Sequence, residues 1–192
     1  MPAFDFTAAI RLVCEDMSRR APELSHVDMQ RVAVGFCQAR KRVPHGLQAS
    51  LTPLRFEGGA LTKRIRGREF ICQRLVDGSG RDYLYLLQFY LPRFLDHALE
   101  EKLTTIVHEL WHISPEMDGD LRRHEGRCYV HGASQQAFDE QAARIGREWL
   151  MRDPPAGLYE WLTVDFRTLA AEHGGVSGQR FRTPKLAPLP AA

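Results

Sequence analysis

The chain has 192 residues, 44% of them hydrophobic and 26% charged, a balance that fits one globular domain with a core of its own and excludes a mostly disordered chain. The net charge of +2 is too small to demand a nucleic-acid partner. No apolar run approaches the ~18–20 residues of a membrane span, and the N-terminus lacks the basic and apolar regions of a signal peptide, so a cytoplasmic protein with no membrane partner is expected. Cys14, Cys37, Cys72 and Cys128 form no CxxC pair and read as reduced, mostly buried thiols. The basic set is skewed, with four lysines against 22 arginines.

In chain order, Phe6, Ile10, Val13, Cys14 and Met17 recur at helical spacing and predict an amphipathic helix over 4–20 that stops at Ala21-Pro22. Val32, Val34 and Phe36 alternate as in a strand. A second strand is expected from Leu47 towards Phe56, closed by Gly58-Gly59. Glu69–Val76, the turn Asp77-Gly78-Ser79-Gly80 and the aromatic run Tyr83–Leu91 read as a β-hairpin. Leu99, Leu103, Ile106, Val107 and Leu110 form the apolar stripe of a helix from about Asp96 to Ile113. Ser134 caps a further helix to Met151, and another runs from Leu158 to Glu172 before Gly174-Gly175. The order implies an α+β domain over 1–175 with a small, mostly antiparallel sheet. Residues 176–192 form a proline-rich, flexible tail.

His108-Glu109-Leu110-Trp111-His112 is an HExxH motif. Residues i and i+4 share a helix face, so both imidazoles can bind one metal ion, and Glu109 stands beside it to take a proton from a metal-activated water. By composition such a motif arises by chance in roughly 2% of shuffled sequences, and its apolar helical context raises its significance. A catalytic zinc, one per chain, needs a third protein ligand and an open fourth position. The continuation HExxHxxGxxH is absent: Pro115 and Asp118 occupy the positions of its glycine and third histidine. His131, at a turn before the next helix, is the preferred third ligand. His124, among the arginines of Leu121–Arg127, is the alternative, and Glu140 or Glu148 would serve a glutamate-type site. Asp139 could orient a ligand imidazole, and Tyr129 could donate to an oxyanion. His26, His45, His97 and His173 lack ligand spacing.

Glu101-Lys102-Leu103, Val107–Ile113 and Gly119-Asp120-Leu121-Arg122-Arg123, with the upstream strand Tyr83–Leu91 and Phe94-Leu95, resemble the zincin-like metallopeptidases of phages and prokaryotes. More distantly, His131-Gly132 followed by Phe138 resembles the downstream ligand segment of SprT-like proteases, which act on DNA-bound proteins. The resemblance implies a minimal zincin fold: a small sheet packed on the HExxH helix, with further C-terminal helices. It makes His108 and His112 zinc ligands and Glu109 the general base. It leaves the third ligand open, because the phage-type pattern matches His124 and the SprT-like pattern matches His131.

The leading expectation is a zinc-dependent metallopeptidase acting on a protein or peptide substrate, which could pair with an exposed edge of the Tyr83–Leu91 strand. A catalytically silent zinc-binding adaptor with a regulatory protein partner is the second. The third adds nucleic acid, through the basic cluster Thr62–Arg68 with Arg180 and Arg182, and makes the chain an SprT-like protease of DNA-associated proteins. P-loop, GxSxG and GxGxxG motifs are absent.

Overall fold

The structure, a computed structural model, describes residues 2–39, 45–123 and 134–190. Short β1 (Phe4–Asp5) leads into α1 (Phe6–Arg20), whose first turn is capped by Asp5 accepting from the Ala8 N–H. Three strands make the main sheet: β2 (Val32–Gln38), β3 (Ala49–Pro53) and, later, β6 (Tyr85–Leu91). Between them lie β4 (Thr62–Ile65) and β5 (Arg68–Cys72). The second half is helical: α2 (Leu99–Trp111), α3 (Gln135–Met151), the short α4 (Ala156–Tyr159) and α5 (Phe166–His173). Strands β7 (Val176–Ser177) and β8 (Leu186–Pro188) close the chain. The domain is α+β, as its element order implies, and no helix among the described residues is long and apolar enough to cross a membrane.

Three elements depart from the sequence reading. The main sheet is mixed rather than mostly antiparallel: in the order β2-β6-β3, β6 pairs parallel with β2 and antiparallel with β3. The apolar run Tyr83–Leu91 therefore supplies the central strand, and its near-continuous hydrophobicity reflects burial on both faces rather than a hairpin partner. The expected hairpin with Glu69–Val76 contracts to the Asp77–Arg81 turn and the single bridge Val76↔Asp82, because β5 pairs with β4 and β8 in a separate sheet. The helix expected over 158–172 is interrupted at Val164, where Asp165 caps α5 through the Thr168 N–H.

The stretch expected to be a flexible tail is instead tied to four parts of the molecule. Val176 and Ser177 pair with β1, the Phe36 N–H donates to Gln179 O, Gln88 Nε2 donates to Phe181 O, and β8 pairs with β5. Proline-rich composition concealed this because most of the bonds are made by backbone groups. Gly35 on β2 makes room for the crossing: a Cβ there would stand 2.7 Å from the Phe181 ring.

The core lies between α1, the inner face of the main sheet and the α2–α3 pair, and it is centred on Phe6, Tyr85, Phe89, Phe94, Leu103, Ile106 and Trp149. Polar groups bolt these layers together. Trp149 Nε1 donates to Asp16 at 2.9 Å, joining α3 to α1. Lys102, 1% exposed, donates from Nζ to Leu162 O and Val164 O at 2.8 Å each, joining α2 to the turn before α5.

Burial holds the Lys102 ammonium down to about 8, against a weaker pull upward from Asp96 and Asp165. Lys102→Met strands the two carbonyls and should cost about 1–3 kcal/mol at pH 7. The unfolded chain keeps this proton to higher pH than the native one, so wild-type stability gains on the variant between pH 8 and about 10.5. Urea midpoints of both proteins at pH 7 and pH 10 should show the gap widening at the higher pH.

Candidate metal centre

On α2 the buried residues Leu103, Ile106, Val107 and Leu110 define the stripe that faces the core. At about 100° per residue, His108 and His112 fall on the opposite side, and Glu109 and Thr105 lie on the flank towards β3. That side would face solvent on an isolated helix. Here it lies between β3 and α3, both of which pack against α2.

On the β3 side, the Thr105 hydroxyl donates to Gln48 Oε1 at 2.9 Å, and the Leu51 N–H donates to the Glu109 carboxylate. Gln48 and Leu54 bond to β6 through Gln48 O and the Leu54 N–H, so the alternate residues Ala49, Leu51 and Pro53 turn their backbone outward. Leu51 is thus an edge residue. Burial of Glu109 outweighs the bond from Leu51 and pushes its pKa up to about 7, the range in which a carboxylate exchanges protons near neutrality.

On the α3 side, Ser134 accepts from the Ala137 N–H and sets the first turn. This aims Phe138 and Asp139 at α2. Phe138 stacks on the His112 ring, with centroids 4.8 Å apart and planes at 19°, and on Trp111 at 4.7 Å. Asp139 Oδ1 lies 2.8 Å from His108 Nδ1. With Nδ1–H donating to Asp139, His108 turns a bare Nε2 towards His112. The two Nε2 atoms lie 3.0 Å apart. Two imidazoles on one tetrahedral zinc, each at the usual Zn–N length, would hold those atoms about 3.3 Å apart. His108 is partly exposed and His112 is 7% exposed.

The segment after α2 turns back on it. Ile113 bridges Leu121, the Arg122 N–H donates to His112 O at 2.7 Å, and Arg122 Nε donates to Trp111 O at 2.8 Å. Tyr85 Oη donates to Asp120 O and accepts from the Gly119 N–H. Gly119 has φ +92°, and a Cβ there would stand 2.5 Å from Arg55 Cγ, so the turn requires glycine. Sequence reasoning missed this frame. Arg122 and Tyr85 act through backbone atoms, which no spacing rule reveals, and the only signal was the Gly119-Asp120 turn. Arg123, counted as a cation near the site, is drawn onto Asp120 at 2.9 Å. His26, which lacks ligand spacing, is half-buried at the end of α2, with Nε2 3.2 Å from Arg122 and 3.3 Å from Ile113 O.

His108, Glu109, His112 and Asp139 are thus brought together. His124, His131 and Tyr129 lie outside the described residues. Glu140 is exposed and accepts from Gln136, and Glu148 pairs with Arg144. Among the described residues, no third histidine, cysteine or carboxylate joins the imidazole pair in a group able to hold a metal. No protein family, curated protein or solved structure gives a significant match to the chain.

If Asp139 fixes the tautomer, long-range nitrogen–proton spectra of metal-free protein should show His108 protonated at Nδ1. In Asp139→Ala the population should move towards the Nε2–H form. An unchanged pattern would assign the tautomer to another contact.

Proposed function

We propose that the chain is a zinc-dependent metallopeptidase with a minimal zincin-like arrangement: the sheet β2-β6-β3, the motif helix α2 and the supporting helix α3. The observation that carries this reading is the 3.0 Å approach of two Nε2 atoms at i and i+4 beside a half-buried glutamate, with Asp139 behind one ring. A purely structural pair of histidines has no use for a neighbouring carboxylate held near neutrality.

His108 and His112 would hold the ion. The third ligand is proposed as His131, with His124 as the alternative. Bound zinc would supply Lewis-acid polarisation of the scissile carbonyl and a lowered pKa for its water. Glu109 takes the proton of the attacking water and delivers it to the departing amine. Its raised pKa suits the first half of that task, since the carboxylate of a stronger acid would take the water's proton up poorly. Asp139 keeps His108 turned towards the ion, and Arg122 holds the end of the helix that carries His112.

The substrate backbone is proposed to lie along β3. The edge of β6 considered from sequence is paired on both sides, whereas Ala49 and Leu51 of β3 turn their backbone away from β6, the Leu51 N–H onto Glu109. An extended peptide laid there would bring a carbonyl to the motif side of α2.

Elemental analysis of protein purified without added metal should give about one zinc per chain, lost in either His131→Ala or His124→Ala but not in both. Glu109→Gln should retain the zinc while peptide cleavage falls by about 10²–10⁴-fold. Asp139→Ala should weaken zinc binding by about 10–100-fold. Absence of zinc even after reconstitution would leave the motif a packing feature, and full cleavage by Glu109→Gln would remove the proposed base.

A further inference from the structure

A second surface, separate from the motif side of α2, has its own chemistry. No described residue from Arg55 to Tyr83 is buried, and none of β4, β5 or β8 belongs to the core. These strands form a three-stranded appendage in the order β4-β5-β8. Its hairpin turns at Arg66 and Gly67, with φ +49° and +80°, the tight two-residue geometry that makes a narrow, projecting ribbon. Four of the seven exposed large hydrophobics of the described chain, Leu61, Val76, Leu186 and Leu189, lie on or beside it. Such a concentration marks a surface that has a partner.

Charge identifies the partner. Lys63, Arg64, Arg66 and Arg68 are exposed and, among the described residues, enter no ion pair, whereas Arg74 beside them is held by Asp82. The one carboxylate of the hairpin, Glu69, accepts from Thr62. Register puts Lys63, Ile65, Arg68 and Phe70 on one face, with Arg66 at the tip, so cations alternate with half-buried apolar side chains. Exposed Lys185 adjoins β8. Two copies meeting through this surface would oppose like charges. Three of the four cations are arginine, whose fork matches phosphate oxygens, and beyond the β8 pairing at residues 70–72 the tip at residues 65–68 narrows to two strands, a width that a duplex major groove admits.

We propose that the β4–β5 ribbon is a nucleic-acid-binding element that engages the phosphate backbone through Lys63, Arg64, Arg66 and Arg68. This inference is independent of the zinc reading, since it concerns other residues and a binding event alone.

The test is fluorescence anisotropy of a labelled duplex of about 20 base pairs with the full chain, in parallel with sedimentation on phosphatidylcholine vesicles containing phosphatidylserine. Four phosphate contacts predict a log–log salt slope of about −3.6, a loss of roughly 10²-fold in affinity between about 50 and 200 mM salt. Replacing all four cations by alanine should weaken binding at least tenfold and flatten that slope. All four are exposed, so the variant should keep the wild-type circular dichroism. Arg147→Ala and Arg167→Ala, on the helical side, should bind as wild type. No duplex binding at low salt, binding equally lost in the helical-side variants, or binding to the vesicles alone would each overturn the proposal, the last in favour of an anionic membrane surface.

Discussion

Everything about the candidate site depends on how α2 is clamped. One helix must bury an apolar stripe in the core and still present two imidazoles and a carboxylate on its other side. It does so because its neighbours grip it at different depths. Gly146 lets α3 come close to Leu103, where a Cβ would already touch at 3.4 Å, and the Lys102 ammonium bonds to carbonyls of the turn before α5. Both anchors lie in its first turns; the second half of α2 buries Ile106, Val107 and Leu110 in the core, and its other side meets Phe138, Asp139, Leu51 and the returning Arg122. All four contacts touch the motif residues themselves or the backbone that carries them. The helix is thus divided by face, with an apolar stripe packed in the core along its length and the motif side chains on the other side.

The main sheet contributes in a way its pairing explains. Because β6 is central and parallel to β2, the chain must cross over between them, and the crossover carries β3, β4 and β5. Strand β3 returns as the antiparallel edge beside α2, so the same excursion builds one flank of the candidate site and extrudes the basic appendage. The two surfaces are linked by topology and separated in burial: β3 begins with a buried Ala49, and β4 and β5 have no buried residue.

Legibility in the sequence followed the range of the interaction. Helix periodicity, the Ser134 cap, the Gly174 stop and the HExxH spacing are local, and α1, α2 and α3 lie where these signals put them. Asp139 was singled out from its place on the helix after His131, and it lies 2.8 Å from His108 Nδ1. Pairing partners were not legible. The run at Tyr83–Leu91 announces a buried strand, yet nothing local says that Val32–Gln38 lies beside it in parallel register. The tail misled for the same reason, since a sequence rich in proline and polar residues hides bonds made by its carbonyls. Arg122 and Tyr85, which frame the site through main-chain atoms, leave no trace in residue spacing.

The arginine excess makes the same point about charge. As a count it predicts nothing, and the structure divides it by surroundings. Arg11 donates to Met29 O and Val32 O, Arg31 to Asp82 O, and Arg122 to Trp111 O, so these guanidinia serve as clamps on carbonyls that strands and helices leave unpaired. Arg123 and Arg144 are drawn onto carboxylates. Multiple donors in one plane suit arginine to such work better than lysine, whose charge sits at a single point. In the appendage, Arg64 bonds the turn carbonyl of Gly67 and Glu69 accepts from Thr62, yet Lys63, Arg64, Arg66 and Arg68 are exposed and enter no ion pair among the described residues. A dication at the motif would therefore meet arginines already committed to protein oxygens, and the uncommitted positive charge of the hairpin stands on a separate element of the fold.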